Sequence, residues 1–117
     1  MKVVYIAGKF RGANAWEVEE NIRAAERLAL EVWRAGMAAL CPHANTRFFD
    51  KVLPDEVFLA GTLALLEVCD AVMMADNWRE SVGACAERDR ALDLGKPIFE
   101  SLEQLKKWNE QTPERAA

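Results

Sequence analysis

The chain has 117 residues, room for one domain with a modest core and none for a second. About half of its residues are apolar and 29% are charged, as in ordinary globular proteins. The net charge of −4 argues against nucleic acid or an anionic membrane as the main partner, although a local group of donors can still hold a small anion.

No apolar run approaches the ~20 residues of a membrane span, and the short N-terminal run reads as a strand rather than a leader. VVYIA (3–7) is that strand, β-branched and stopped by Gly8. Asn14 and Glu17 then open a helix in the manner of a capping box, and Gly36 ends it. MAALC (37–41) predicts strand two, and residues 42–53 a polar and aromatic connection. Pro54 starts a second helix, DEVFLAGTLALLEVC (55–69). DAVMMA (70–75), apolar on both faces, is strand three. Ser81 caps a third helix running to Leu94, with Gly95 at its end. KPIFE is strand four, and SLEQ opens a last helix to about Asn109. A single domain over 1–110 followed by a disordered tail, 111–117, is the expected organisation.

Apolar strands separated by helices predict an α/β fold: a doubly wound parallel sheet of four to five strands in three layers, α/β/α. Ligands in such sheets bind beyond the carboxyl ends of the strands, which selects three loops. The first, Gly8, Lys9, Phe10, Arg11 and Gly12, offers open backbone and two cations; it is neither a P-loop nor GxGxxG, and a solvated tight turn is the alternative. The second carries the sole histidine, His43, at a strand end, where a binding and a structural role compete; Arg47, Phe48 and Phe49 follow, with at least one phenylalanine expected in the core. The third places Trp78 at the mouth and Ser81 at a helix start, with Gly83 and Glu87 four residues apart on one face. A carboxylate beside a desolvated cleft can act as base or nucleophile, whereas an exposed one would pair with Arg88 or Arg90. Asp70 suits a turn or cap, and the other tryptophans suit core or boundary packing. The cysteines, Cys41, Cys69 and Cys85, form no CxxC or Cys/His cluster; they read as small core residues of a cytoplasmic protein, with no metal site or cofactor signalled.

YIAGKFRG (5–12), the histidine after strand two, LLEVCDAV (65–72), SVGACAE (81–87) and GKPIF (95–99) together resemble the nucleoside 2-deoxyribosyltransferase-like superfamily. The similarity covers roughly residues 3–100 and points toward 2′-deoxynucleoside 5′-phosphate N-hydrolases and a branch of short phage and bacterial proteins. It implies a Rossmann-like, flavodoxin-like fold and cleavage of a base–sugar bond in a (2′-deoxy)nucleoside 5′-monophosphate. It makes Glu87 the nucleophile and Tyr5 its orienting neighbour. The loop from Gly8 to Gly12 and Ser81 would hold the 5′-phosphate, and His43 would line the pocket. It further implies a homodimer or larger assembly and no cofactor. A nucleotide-binding protein without catalysis and a deoxyribosyltransferase are the competing readings. One departure stands out: relatives of this kind usually carry an aspartate where this chain has Thr62. Either Asp70, Asp76 or another carboxylate then assists the leaving base, or the substrate carries a good leaving group, or catalysis is lost.

Overall fold

The computed structural model describes residues 1–114. Four strands, β1 (Val3–Ala7), β2 (Ala38–Leu40), β3 (Ala71–Met74) and β4 (Ile98–Phe99), form one fully parallel sheet in the order β2-β1-β3-β4. Tyr5 lies opposite Leu40 on one side and Val72 on the other, so β1 is central. Five helices connect or flank the strands: α1 (Ala15–Arg34), α2 (Pro42–Asn45), α3 (Asp55–Glu67), α4 (Val82–Asp93) and α5 (Leu102–Gln111). The doubly wound α/β architecture expected from the alternation is thus present, with four strands.

Strand alternation sorts the core into two layers. Val4, Ile6, Ala71 and Met73 pack with Ala25, Ala29 and Val32 of α1 and Leu105 of α5. Tyr5, Ala7, Val72 and Met74 face the other way, against Leu66 and Ala91 of α3 and α4. The chain therefore leaves β1 toward one face and β3 toward the other. Their loops diverge above the centre of the sheet, and that divergence opens a cleft.

Local signals fix the helix ends. Glu17 N–H donates to Asn14 Oδ1 at 2.9 Å, while the Glu17 carboxylate accepts from Ala13 N–H rather than from the cap itself. Ser81 and Ser101 cap α4 and α5, and Gly36 and Gly95 adopt positive φ beyond α1 and α4, where a side chain would strain the backbone. One helical turn, α2, lies inside the segment expected as plain connection; Pro42 starts it because proline's fixed φ suits a first helical position.

Several packing expectations need correction. Phe48 and Phe49 are both exposed, since the loop carrying them runs over the surface. Trp16 and Trp33 lie on the outer side of α1 and are exposed as well. Of the cysteines only Cys69 is buried; Cys41 and Cys85 sit at element ends and are half-buried. Asp70 accepts the Val3 N–H at 2.8 Å, a tie between the starts of β1 and β3. Of the expected tail, Gln111 completes α5 and Glu114 pairs with the Met1 amino group at 2.7 Å; residues 115–117 lie outside the described residues. No described helix is long and apolar enough to cross a membrane.

Candidate active site

A cavity of about 570 Å³ lies above the carboxyl ends of β1 and β3. Its walls include Gly8, Lys9, Phe10 and Arg11 of the first loop, Pro42 and His43 of α2, and Phe58, Leu59 and Thr62 of α3. Ser81, Gly83, Ala84 and Glu87 complete it from α4. All three predicted loops therefore share one mouth.

Glu87 lies on the cavity wall yet is only 8% exposed. Ser81 caps α4 by accepting the Ala84 N–H at 3.1 Å, and that start rotates Gly83, Ala84 and Glu87 toward the sheet. Gly83 keeps the approach open: a Cβ there would meet only Ser81 Oγ, at 3.8 Å. Burial pushes the Glu87 carboxyl up to about 8. Beneath it, the fully buried Tyr5 donates its hydroxyl to Glu87 Oε2. That bond favours the ionised carboxylate and so opposes the burial effect. The exposed-glutamate alternative fails here, because Arg90 pairs with Glu67 and Arg88 stacks over Trp78.

His43 is buried, and its Nε2 lies 3.0 Å from the Lys9 carbonyl. A carbonyl can only accept, so Nε2 carries the hydrogen. Burial lowers the His43 pKa, partly opposed by the Lys9 and Gly8 backbone, and the neutral ring leaves Nδ1 as a lone pair. That nitrogen is buried without a partner among the described residues. Phe10 packs edge-on against the ring, 5.6 Å between centroids.

Both first-loop cations are already engaged. Arg11 pairs with Asp55 and lies 3.7 Å from Asp50, and Lys9 lies 3.7 Å from Glu80. These three carboxylates and Glu56 also line the cavity. The sequence reading missed all four, because side chains from separate segments meet there only after folding. Gly8 and Gly12 serve packing: a Cβ at Gly8 would stand 2.9 Å from Ala75 Cβ, and one at Gly12 would stand 2.5 Å from Glu17 Cβ. Gly12 and Tyr5 do not line the cavity, and neither does Trp78. The Trp78 indole instead donates to Glu100 and lies under the Arg79 and Arg88 guanidiniums.

Thr62 faces the cavity, but its hydroxyl proton goes to the Leu59 carbonyl at 3.0 Å. It can accept a ligand hydrogen and cannot supply one. Asp70 and Asp76 are absent from the cavity wall, which removes them as stand-ins for the missing aspartate. Among the described residues no cluster of three or more metal-ligating side chains occurs.

The fold recurs in solved structures. A 2-deoxyribosyltransferase from Leishmania mexicana superposes with a TM-score of 0.59 at 16% identity, over 84% of this chain and 62% of that one. The present chain thus spans less than two thirds of that protein. A 2-deoxyribosyltransferase from the psychrotolerant bacterium Bacillus psychrosaccharolyticus gives 0.59 at 18% identity, over 86% of this chain and 75% of that one. The resemblance to the nucleoside 2-deoxyribosyltransferase-like superfamily holds at the level of the fold. No curated protein matches the sequence. Residues 2–100 match the family described as Domain of unknown function (DUF4406), and the chain belongs to that family.

Proposed function

We propose that this protein cleaves the N-glycosidic bond of a (2′-deoxy)nucleoside 5′-monophosphate, with Glu87 as nucleophile. The observation that carries the reading is Glu87, buried on the wall of an open cavity with its carboxylate held from behind by the Tyr5 hydroxyl. A folded protein keeps a desolvated carboxyl only at a cost, and such groups concentrate at functional sites. Fold likeness to two deoxyribosyltransferases supports the same class of bond.

The ionised Glu87 attacks C1′ while the C1′–N bond breaks and its electron pair leaves with the base. Positive charge that builds on the sugar is stabilised by the carboxylate below it. Water then opens the glycosyl ester: its hydroxyl ends on C1′, its proton on the departed base, and Glu87 is regenerated. Delivery of the sugar to a second base would make the same site a transferase. Thr62 has no proton to give, so the base must leave with help from water or from one of the carboxylates at the mouth.

The test is release of free base from a panel of 2′-deoxy and ribo nucleoside 5′-monophosphates, followed by chromatography. Release by the wild type and its loss in Glu87→Ala is the expected result. Nucleotide binding without release from any member would instead favour a binding protein, the second reading, to which Thr62 lends its support. Turnover that depends on an added acceptor base would mark the transferase.

A further inference from the structure

Buried Glu87 marks the cavity as a site, and the rest of its wall is rich in acceptors and poor in free donors. The Thr62 hydroxyl gives its hydrogen to the Leu59 carbonyl at 3.0 Å, and the Thr46 hydroxyl gives its own to the Pro42 carbonyl at 3.3 Å. His43 commits Nε2–H to the Lys9 carbonyl. Ser81 keeps a hydroxyl hydrogen, but an alcohol is too weak an acid to protonate a departing base. A neutral base leaving this cavity has to take its proton from water or from a carboxylate at the mouth.

Charge points to a different kind of base. Lys9 and Arg11 meet Asp50, Asp55, Glu56 and Glu80 on this wall, two cations against four carboxylates with Glu87 left aside. Asp50, Asp55 and Glu80 face those cations, whereas Glu56, in the first turn of α3, has no ion pair or hydrogen bond among the described residues. Phe10 and Phe58 add aromatic rings to the wall, and the face of such a ring attracts a cation.

We propose that the base of the nucleotide taken by this cavity is a cationic N-heteroaromatic ring, a pyridinium or an N-alkylated purine, recognised by the free carboxylate of Glu56. This rests on the reading above in taking the ligand to be a nucleoside 5′-monophosphate. A ring of that kind needs no acid. Glu87 forms its bond to C1′, the C1′–N bond breaks, and the released electron pair neutralises the ring nitrogen, so the base departs uncharged. Water then opens the glycosyl ester: its hydroxyl ends on C1′, its proton passes to solvent, and the Glu87 carboxylate is regenerated. The bound cation also opposes the burial that pushes the Glu87 carboxyl up, because a nearby positive charge favours the ionised form.

The experiment compares nicotinamide mononucleotide, a pyridinium, with its dihydro form, which keeps the phosphate, the ribose and the amide but carries no ring charge. Affinities are read by calorimetric titration at low ionic strength in Glu87→Gln, where turnover does not consume the ligand, with and without Glu56→Gln. The pyridinium form is expected to bind roughly tenfold more tightly or better. Glu56→Gln should cut that preference by about threefold or more and leave the affinity for the dihydro form unchanged. Equal affinity for the two forms overturns the proposal, and so does a preference that Glu56→Gln leaves unmoved. Glu56 is exposed, so its substitution removes charge without disturbing the core. Glu56→Lys, which reverses the charge, is expected to abolish the preference. Free-base release by the wild type is a separate readout. Pyridinium preference without release from any nucleotide sinks the glycosidase reading and leaves the ligand class standing. Release from neutral-base nucleotides with no pyridinium preference does the reverse.

Discussion

The two faces of the sheet share β1 yet differ in kind. Ile6 points into a layer built from apolar residues of α1 and α5. Tyr5, one residue earlier, points into the opposite layer and ends on a carboxyl. Both are fully buried. One face stabilises the protein through packing alone, and the other gives up some stability to hold Glu87 away from water. A strand's period of two lets a single segment serve both purposes without compromise.

The sharpest way to break this comparison is at Glu87. Glu87→Gln preserves shape and removes the nucleophile, so base release should fall by roughly a thousandfold or more. The same substitution should not unfold the protein. Ile6→Ala is expected to do the opposite, costing about 3 kcal/mol by denaturant unfolding while the folded fraction keeps its turnover per molecule. Equal loss of activity and stability in both variants would dissolve the distinction between the faces.

Stability should also respond to pH through Glu87. The folded-state pKa of Glu87, about 8, lies above its ordinary 4.5, so the folded protein holds the proton more tightly than the unfolded chain. Its contribution is fully present below about pH 4.5 and is lost as the pH rises through 8, a swing of a few kcal/mol. Thermal melts of wild type and Glu87→Gln should therefore diverge between those limits, with the variant more stable at the alkaline end. Activity runs against stability, since only the ionised form attacks: kcat/KM should climb with pH toward a plateau above about 8.

Tyr5→Phe gives a smaller effect that sharpens the same point. Loss of the hydroxyl removes the donor favouring the carboxylate, so the rising limb of the pH–rate profile should move to higher pH and activity at neutral pH should drop about tenfold. An unchanged profile would make Tyr5 mere packing. Smallest is Ser81→Ala, which leaves the Ala84 N–H uncapped and should cost about 1 kcal/mol.

Much of this was legible in the chain itself. Apolar runs of strand length, glycine stops and the Asn14, Ser81 and Ser101 caps act over a few residues, so their physics is local and the α/β order follows from it. The spacing of Ser81, Gly83 and Glu87 likewise set one helix face before any fold was known. Folding alone decided what that face meets. It buried Glu87, which raised its pKa, and brought its carboxylate to the hydroxyl of Tyr5, 82 residues away in sequence. It also led Arg11 to Asp55 and Asn21 to the first-loop carbonyls, and turned Trp78 away to Glu100. Desolvation and charge pairing depend on three-dimensional neighbours, and no local pattern in a sequence encodes who those neighbours will be.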